Sequence, residues 1–199
     1  MKKVIYFVLF ASIIIGCQSK ESSTIEVSDL NNDSITEVQK EEENKDLVKA
    51  PEFSLPDING KETSLEDFKG KLVYMDIWAT WCGPCLVQLP ALKEFEEKYR
   101  GEDIVFMSVS TDPDKDKQKW INMVKEKEMR GVQLFAGHES GFSEAYNVEF
   151  IPRFVLVSPS GDILLDQAPE PMDYMTGERN VALEQILDLY FTTNKKASP

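Results

Sequence analysis

Histidine and cysteine are the scarcest reactive residues in this sequence: 199 residues hold one histidine, His138, and three cysteines, Cys17, Cys82 and Cys85. A zinc site needs about four ligands, and outside Cys17 the chain offers only two cysteines and one histidine toward one. Basic clusters are missing too. Lys and Arg number 22 against 35 Asp and Glu, a formal net charge of -13 that repels phosphate backbones and argues against a nucleic-acid partner. The apolar stretch Val4–Ile15 falls short of the about 20 residues that span a bilayer. What remains is 42% hydrophobic residues, enough for the core of one ordinary domain with extensions.

The two ends of the N-terminal segment set the expected compartment. Lys2 and Lys3 precede the short apolar stretch, which ends at Gly16-Cys17, the pattern of a secretory signal. The ending Ile-Ile-Gly-Cys resembles a bacterial lipobox. That resemblance implies removal of residues 1–16 and acylation of Cys17 on its sulfur and its new amino group, several chains anchoring stably where one is marginal. An ordinary signal that happens to contain a cysteine is the plainer alternative, and either way the mature protein works outside the cytoplasm. Gln18 to Lys49 is polar, acidic and without aromatics, so it cannot bury enough surface to offset its ordering entropy. It reads as a disordered tether with a reach of roughly 30 Å.

Composition shifts at Ala50-Pro51, and residues 50–199 read as one domain. Two short extended pieces flank Asn59-Gly60, a two-residue hairpin signal. KLVYMDIWA and DIVFMSVS are near-continuous apolar runs of the kind buried on both faces of a sheet. Cys85, Leu89, Leu92 and Phe95 fall at helical spacing, with Pro90 expected to bend that helix. A solvated helix with Trp120 and Val124 inward follows, then the short strand VQLFA, a short helix in GFSEAYNV, two strands around Pro-Ser-Gly-Asp, and the amphipathic VALEQILDLYF. Strands alternating with helices predict an α/β sandwich with a mixed central sheet.

Between Trp81 and Leu86 stands Cys82-Gly83-Pro84-Cys85. As a structural staple this pair encloses too few residues to remove much unfolded-state entropy. Thiol–disulfide exchange remains, for which Cys-X-X-Cys after a strand and before a helix is a strong signal. Cys82 at a helix N-terminus meets free N–H groups and the positive end of the macrodipole, which lowers a thiol pKa from about 8.5 toward 7. That shift, worth roughly 2 kcal/mol, raises the thiolate from a few per cent to about half at neutral pH. Cys82 is the expected attacking sulfur. Cys85, one turn further and facing inward, is expected to resolve the mixed disulfide and needs an acceptor for its proton.

With these residues in place, the sequence resembles the thioredoxin family, and more closely its extracytoplasmic branch of membrane-tethered thiol–disulfide oxidoreductases. The resemblance covers about residues 50–165 and rests on FSLPDINGKETSL, DIWATWCGPC, IVFMSVS and YNVEFIPRFVLVSPSG. It implies a thioredoxin-like sandwich with an N-terminal hairpin extension and no cofactor beyond the Cys82–Cys85 disulfide. The family's proton acceptor, six residues before the first cysteine, falls on Asp76, and an aspartate inside an apolar strand is costly unless it is protonated or used. A satisfied structural aspartate is the alternative. The family's cis-proline falls on Ile151-Pro152, where backbone at Ile151 would pair with an extended substrate. Trp81, Gly83 and Pro84 complete the expected substrate rim, and Trp78 a core position; plain packing serves for either tryptophan.

Departures from the family pattern are specific. Arg153 follows the proline in place of threonine and would bring bulk and positive charge to the site. No lysine on IVFMSVS accompanies Asp76, so the resemblance implies an acid harder to ionise than its thioredoxin counterpart. The segment QAPEPMDYMTGERN matches no family element, and His138 reads as an exposed loop residue. Gly-Pro between the cysteines is the dipeptide of reducing family members; reductants and strong oxidants differ by about 150 mV, near 7 kcal/mol for two electrons. The expectation is a reductase of protein disulfides, a monomer, re-reduced by a membrane thiol–disulfide transporter. Gln18 after Cys17 favours an outer-membrane anchor facing the periplasm. A peroxiredoxin-type peroxidase is disfavoured because Ala79 and Met75 stand where Thr and Pro belong. A non-catalytic binding module is the third reading, against which both cysteines and Asp76 argue.

Overall fold

The computed structural model describes residues 47–197. The expected signal, the expected lipidation site Cys17 and nearly all of the expected tether lie outside them. Backbone pairing begins at Val48, whose carbonyl accepts from Ile163 N at 2.8 Å, and Lys49 forms an ion pair with Asp162 at 2.8 Å. Val48 and Lys49, just before the expected boundary at Ala50, are thus already bonded to the domain.

The first pair of strands is β1 (Ser54–Pro56) and β2 (Glu62–Ser64), antiparallel and separate from the main sheet. The expected two-residue turn at Asn59-Gly60 is instead a five-residue loop. Asp57 closes it, its Oδ1 accepting from the N–H of Asn59 and of Lys61 at 2.8 Å each. A carboxylate that captures two backbone donors competes with a tight turn, and here it wins. A 3-10 turn, Leu65–Phe68, leads onward.

The main sheet contains β3 (Leu72–Trp78), β4 (Ile104–Ser110), β5 (Val132–Phe135), β6 (Arg153–Val157) and β7 (Ile163–Leu165), in the spatial order β5-β4-β3-β6-β7. β3 runs parallel to β4, and β4 to β5, while β6 is antiparallel to both β3 and β7, so the sheet is mixed as expected. Every residue of β3 is buried, which explains its unbroken apolar run: it is the central strand, covered on both faces.

The helices are α1 (Gly83–Leu86), α2 (Leu89–Lys98), α3 (Lys117–Glu126, entered through the 3-10 turn Asp114–Asp116), α4 (Phe142–Ala145) and α5 (Val181–Ala197). Alternate residues of β3 feed opposite layers. Val73, Met75 and Ile77 join Leu55, Phe142 and Tyr146 on one side. Leu72 and Tyr74 join Leu92, Phe95, Leu183 and Leu187 from α2 and α5 on the other. A third cluster gathers Trp78, Trp120, Val124 and Phe135 around both cysteines. Among the described residues no helix is long and apolar enough to cross a membrane.

Candidate active site

The strand that is buried throughout delivers the cysteines to its own C-terminal end. Leaving β3 at Trp78, the chain turns through Ala79, Thr80 and Trp81 and enters α1 with Cys82 as its N-cap. Cys82 and Cys85 are joined by a disulfide with their Cα atoms 5.3 Å apart. Cys82 Sγ accepts from Cys85 N at 3.1 Å, and Pro84 in the first turn has no N–H to leave unpaired. The bend foreseen at Pro90 falls between α1 and α2, which begins at Leu89 with Pro90 in its first turn; Val87 and Gln88 between them stay in right-handed helical conformation. The donor that the Cys82 sulfur meets is the nearby Cys85 N–H.

Both cysteines are 3% exposed, while Trp81 beside them is 60% exposed and Gly83 and Pro84 are also open. Trp81 thus stands at the rim and Trp78 in the core. The Ile151-Pro152 bond is cis, and Ile151 packs against the cluster that holds the cysteines. Arg153 behaves otherwise than expected. Its Nε donates to Asp166 O at 3.1 Å and its Nη1 to Asn147 O at 2.5 Å, so the guanidinium is spent on backbone carbonyls of neighbouring loops.

Asp76 lies within β3, paired in register with Ser108 of β4 and Phe154 of β6. It is 4% exposed. Burial pushes its carboxyl up to about 7, the Ser108 hydroxyl pulls it back by hydrogen-bonding, and the nearby Glu96 charge pushes it up further. Glu96 on α2 is itself pushed up to about 7 by burial, against the pull of Arg130 and Lys93. His138 is exposed. Among the described residues no three His, Cys, Asp or Glu side chains cluster so as to hold a metal ion.

Four side chains that support the site escaped sequence reasoning. Asp112, fully buried just beyond β4, accepts from Thr80 N at 2.9 Å, Thr80 Oγ1 at 2.6 Å and Ser110 Oγ at 2.7 Å, fixing the turn that carries Cys82. In STDPD it looks like any helix-preceding aspartate. Gln88, in the break between α1 and α2, is buried and its Oε1 accepts from Met172 N at 2.7 Å. Tyr174 Oη donates to Pro84 O at 3.2 Å, and Tyr74 Oη to Pro169 O at 2.7 Å. The unplaced segment QAPEPMDYMTGERN is therefore a strap bound to the cysteine motif and the helix after it. No local pattern announces a strap held by single long-range bonds.

The redoxin family profile matches residues 42–180. The chain is 31% identical over 126 residues to the thiol-disulfide oxidoreductase ResA of Bacillus thuringiensis subsp. konkukian, covering 63% of this chain and 70% of that one. It is 30% identical over 114 residues to the thioredoxin-like protein YneN of Bacillus subtilis, covering 57% and 66%. Among solved structures, a thiol-disulfide oxidoreductase from Bacteroides vulgatus matches with a TM-score of 0.60 at 46% identity, over 71% of this chain and 90% of that one. The thiol:disulfide interchange protein DsbE from Chlorobium tepidum matches with a TM-score of 0.60 at 26% identity, over 71% and 95%. With its buried Cys82–Cys85 disulfide just beyond the central strand of a mixed sheet, this chain belongs to the redoxin family and is a thiol–disulfide oxidoreductase of thioredoxin fold.

Proposed function

We propose that the protein reduces disulfides of extracytoplasmic protein clients, Cys82 attacking, Cys85 resolving and Asp76 taking the resolving proton. The observation that carries this reading is the joined Cys82–Cys85 pair set beside an exposed Trp81, at the end of the same buried strand that holds Asp76, a carboxyl whose pKa lies close to neutrality. In the forward direction the Cys82 thiolate attacks a client S–S bond, forming a mixed disulfide and releasing one client thiolate. Cys85 then gives its proton to Asp76, and its sulfur attacks Cys82 Sγ. The Cys82–Cys85 bond forms, the second client sulfur leaves as thiolate, and two electrons have passed to the client. A carboxylate titrating near 7 suits this role because it is half available as a base at neutral pH.

The rim of Trp81, Gly83, Pro84, Ile151 and Pro152 would receive an extended client segment, with Arg153 bracing the loops behind it. The oxidised enzyme is returned to the dithiol by a membrane thiol–disulfide transporter. The signal pattern and Cys17 support a lipid anchor in the bacterial envelope, facing the periplasm from the outer membrane, with a monomeric domain on the tether.

Insulin reduction tests the assignment: the wild-type protein precipitates insulin chains with dithiol present, and Cys82→Ser loses this activity entirely. Equilibration with glutathione buffers tests direction. A potential near -270 mV, about that of thioredoxin, supports the reductase, and one near -120 mV makes the protein an oxidase.

A further inference from the structure

The polar row that begins at Asp76 continues past the neighbouring strand. Register sets Asp76 of β3 level with Ser108 of β4, and Ser108 level with Gln133 of β5. Side chains level across adjacent strands share a face and stand about 5 Å apart. Three polar residues, each under a tenth exposed, thus run in line from the central strand to the sheet edge. The level before them on the same face is the apolar pair Tyr74 and Phe106, their rings 5.8 Å apart. Polar side chains at the next level are a specific departure from that packing.

The row ends at a second acid. Glu96 Oε2 and Gln133 Oε1 are both buried without a hydrogen-bond partner, and the two residues line one small cleft of about 10 Å³ together with Leu92, Lys93 and Arg130. Gln133 Nε2 is already committed to Arg130 O at 2.5 Å. Two acceptors sharing a cleft are costly unless a proton or a donor stands between them. A protonated Glu96 supplies one, and a cleft of this size admits about one solvent molecule.

We propose that Glu96 is the outer carboxyl of a two-carboxyl proton path, by which the proton that Asp76 takes from Cys85 reaches solvent along the Ser108–Gln133 row. This rests on Asp76 being the acceptor in the resolving step. Once the Cys82–Cys85 bond has formed, the Asp76 O–H bond breaks, Ser108 Oγ takes that proton while passing on its own, and a solvent molecule in the cleft carries it to the Glu96 carboxylate. Gln133 Oε1 accepts the hydrogen bond that aligns this transfer. Glu96 then releases the proton at the cleft mouth beside Lys93 and Arg130. No electrons move in this part of the cycle.

The charged and titratable groups around the path are consistent with it. Both carboxyls titrate close to 7, so transfer between them is nearly level. Tyr74, next to Asp76, has its hydroxyl pushed well up by burial and by Asp76 and Glu170, and it stays protonated as a donor to Pro169. Arg130 and Lys93 favour the ionised form of Glu96, which is the form that receives.

The test compares Glu96→Gln, Glu96→Asp and Asp76→Asn in the full chain, reading carboxyl titrations by NMR and the pH–rate profile of resolution of a preformed mixed disulfide. Glu96→Gln is expected to lower the Asp76 midpoint and to slow resolution near pH 7 by about tenfold, less than the roughly hundredfold expected on losing the base itself. Glu96→Asp restores part of both. An unchanged Asp76 midpoint and an unchanged profile in Glu96→Gln, with resolution slowed in Asp76→Asn, overturns the path while leaving the acceptor standing. If Asp76→Asn does not slow resolution, the acceptor reading has failed and the path falls with it, whatever the midpoint of Asp76 does.

Discussion

Asp76, inside the strand that leads to the cysteines, and Asp112, just beyond the strand beside it, are two buried aspartates that their surroundings treat in opposite ways. Asp112 is enclosed by donors from Thr80 and Ser110, all placed by its own strand end and the adjoining turn. Asp76 has the Ser108 hydroxyl, no cation, and a second carboxyl that raises its midpoint further. Burial alone therefore does not tell an anchoring acid from the proposed proton acceptor. What separates them is the count of donors: a carboxyl given several is an anchor, and one given a single hydroxyl is left ready to hold a proton.

The contrast is sharpest in stability. Asp112→Ala strands the Thr80 N–H and two hydroxyls in the interior and is expected to cost about 4 kcal/mol, read as a fall in the denaturant midpoint. Asp76→Asn should do the reverse. Its acid titrates at 3.8 when unfolded and about 7 when folded, so between those values the unfolded chain has released a proton that the folded chain keeps. The stability this group contributes is full below about pH 4, falls as pH rises to about 7, and is flat above. That loss is on the order of 4 kcal/mol at most. Asp76→Asn should thus exceed the wild type by a margin that widens from pH 4 to pH 7 in urea titrations, even as resolution slows. A margin independent of pH would make Asp76 a second anchor. Ser110→Ala, which removes one donor from Asp112 and keeps the rest, should cost about 1 kcal/mol. Smallest of all, Tyr174→Phe loses an exposed bond to Pro84 and should shift stability by under about 0.5 kcal/mol.

Much of this was legible along the chain. The runs Leu72–Trp78 and Ile104–Ser110 became strands over the expected residues, because period and burial agree there and no local competitor exists. The turn at Asn59-Gly60 was misjudged because Asp57 offers the backbone better acceptors than a two-residue turn does. Arg153 was expected to bring bulk and charge beside the site; that carbonyls of Asn147 and Asp166, distant from the motif in sequence, hold its guanidinium could not be read along the chain. Glu96 follows Leu89 and Leu92 at helical spacing, at the edge of the apolar stripe of its helix, but only the fold that brings Gln133 to the same cleft gives that placement meaning.

By itself the sequence determined the reaction class and the sulfurs that carry it: two thiols at this spacing, after a buried strand, with an acid six residues earlier, are local facts of composition and order. Which acid is poised and which is merely tied down was decided in three dimensions. Proton affinity depends on how many donors and charges surround a carboxyl, and those arrive from β4, β5, α2 and their connecting loops, which only folding brings to the same place.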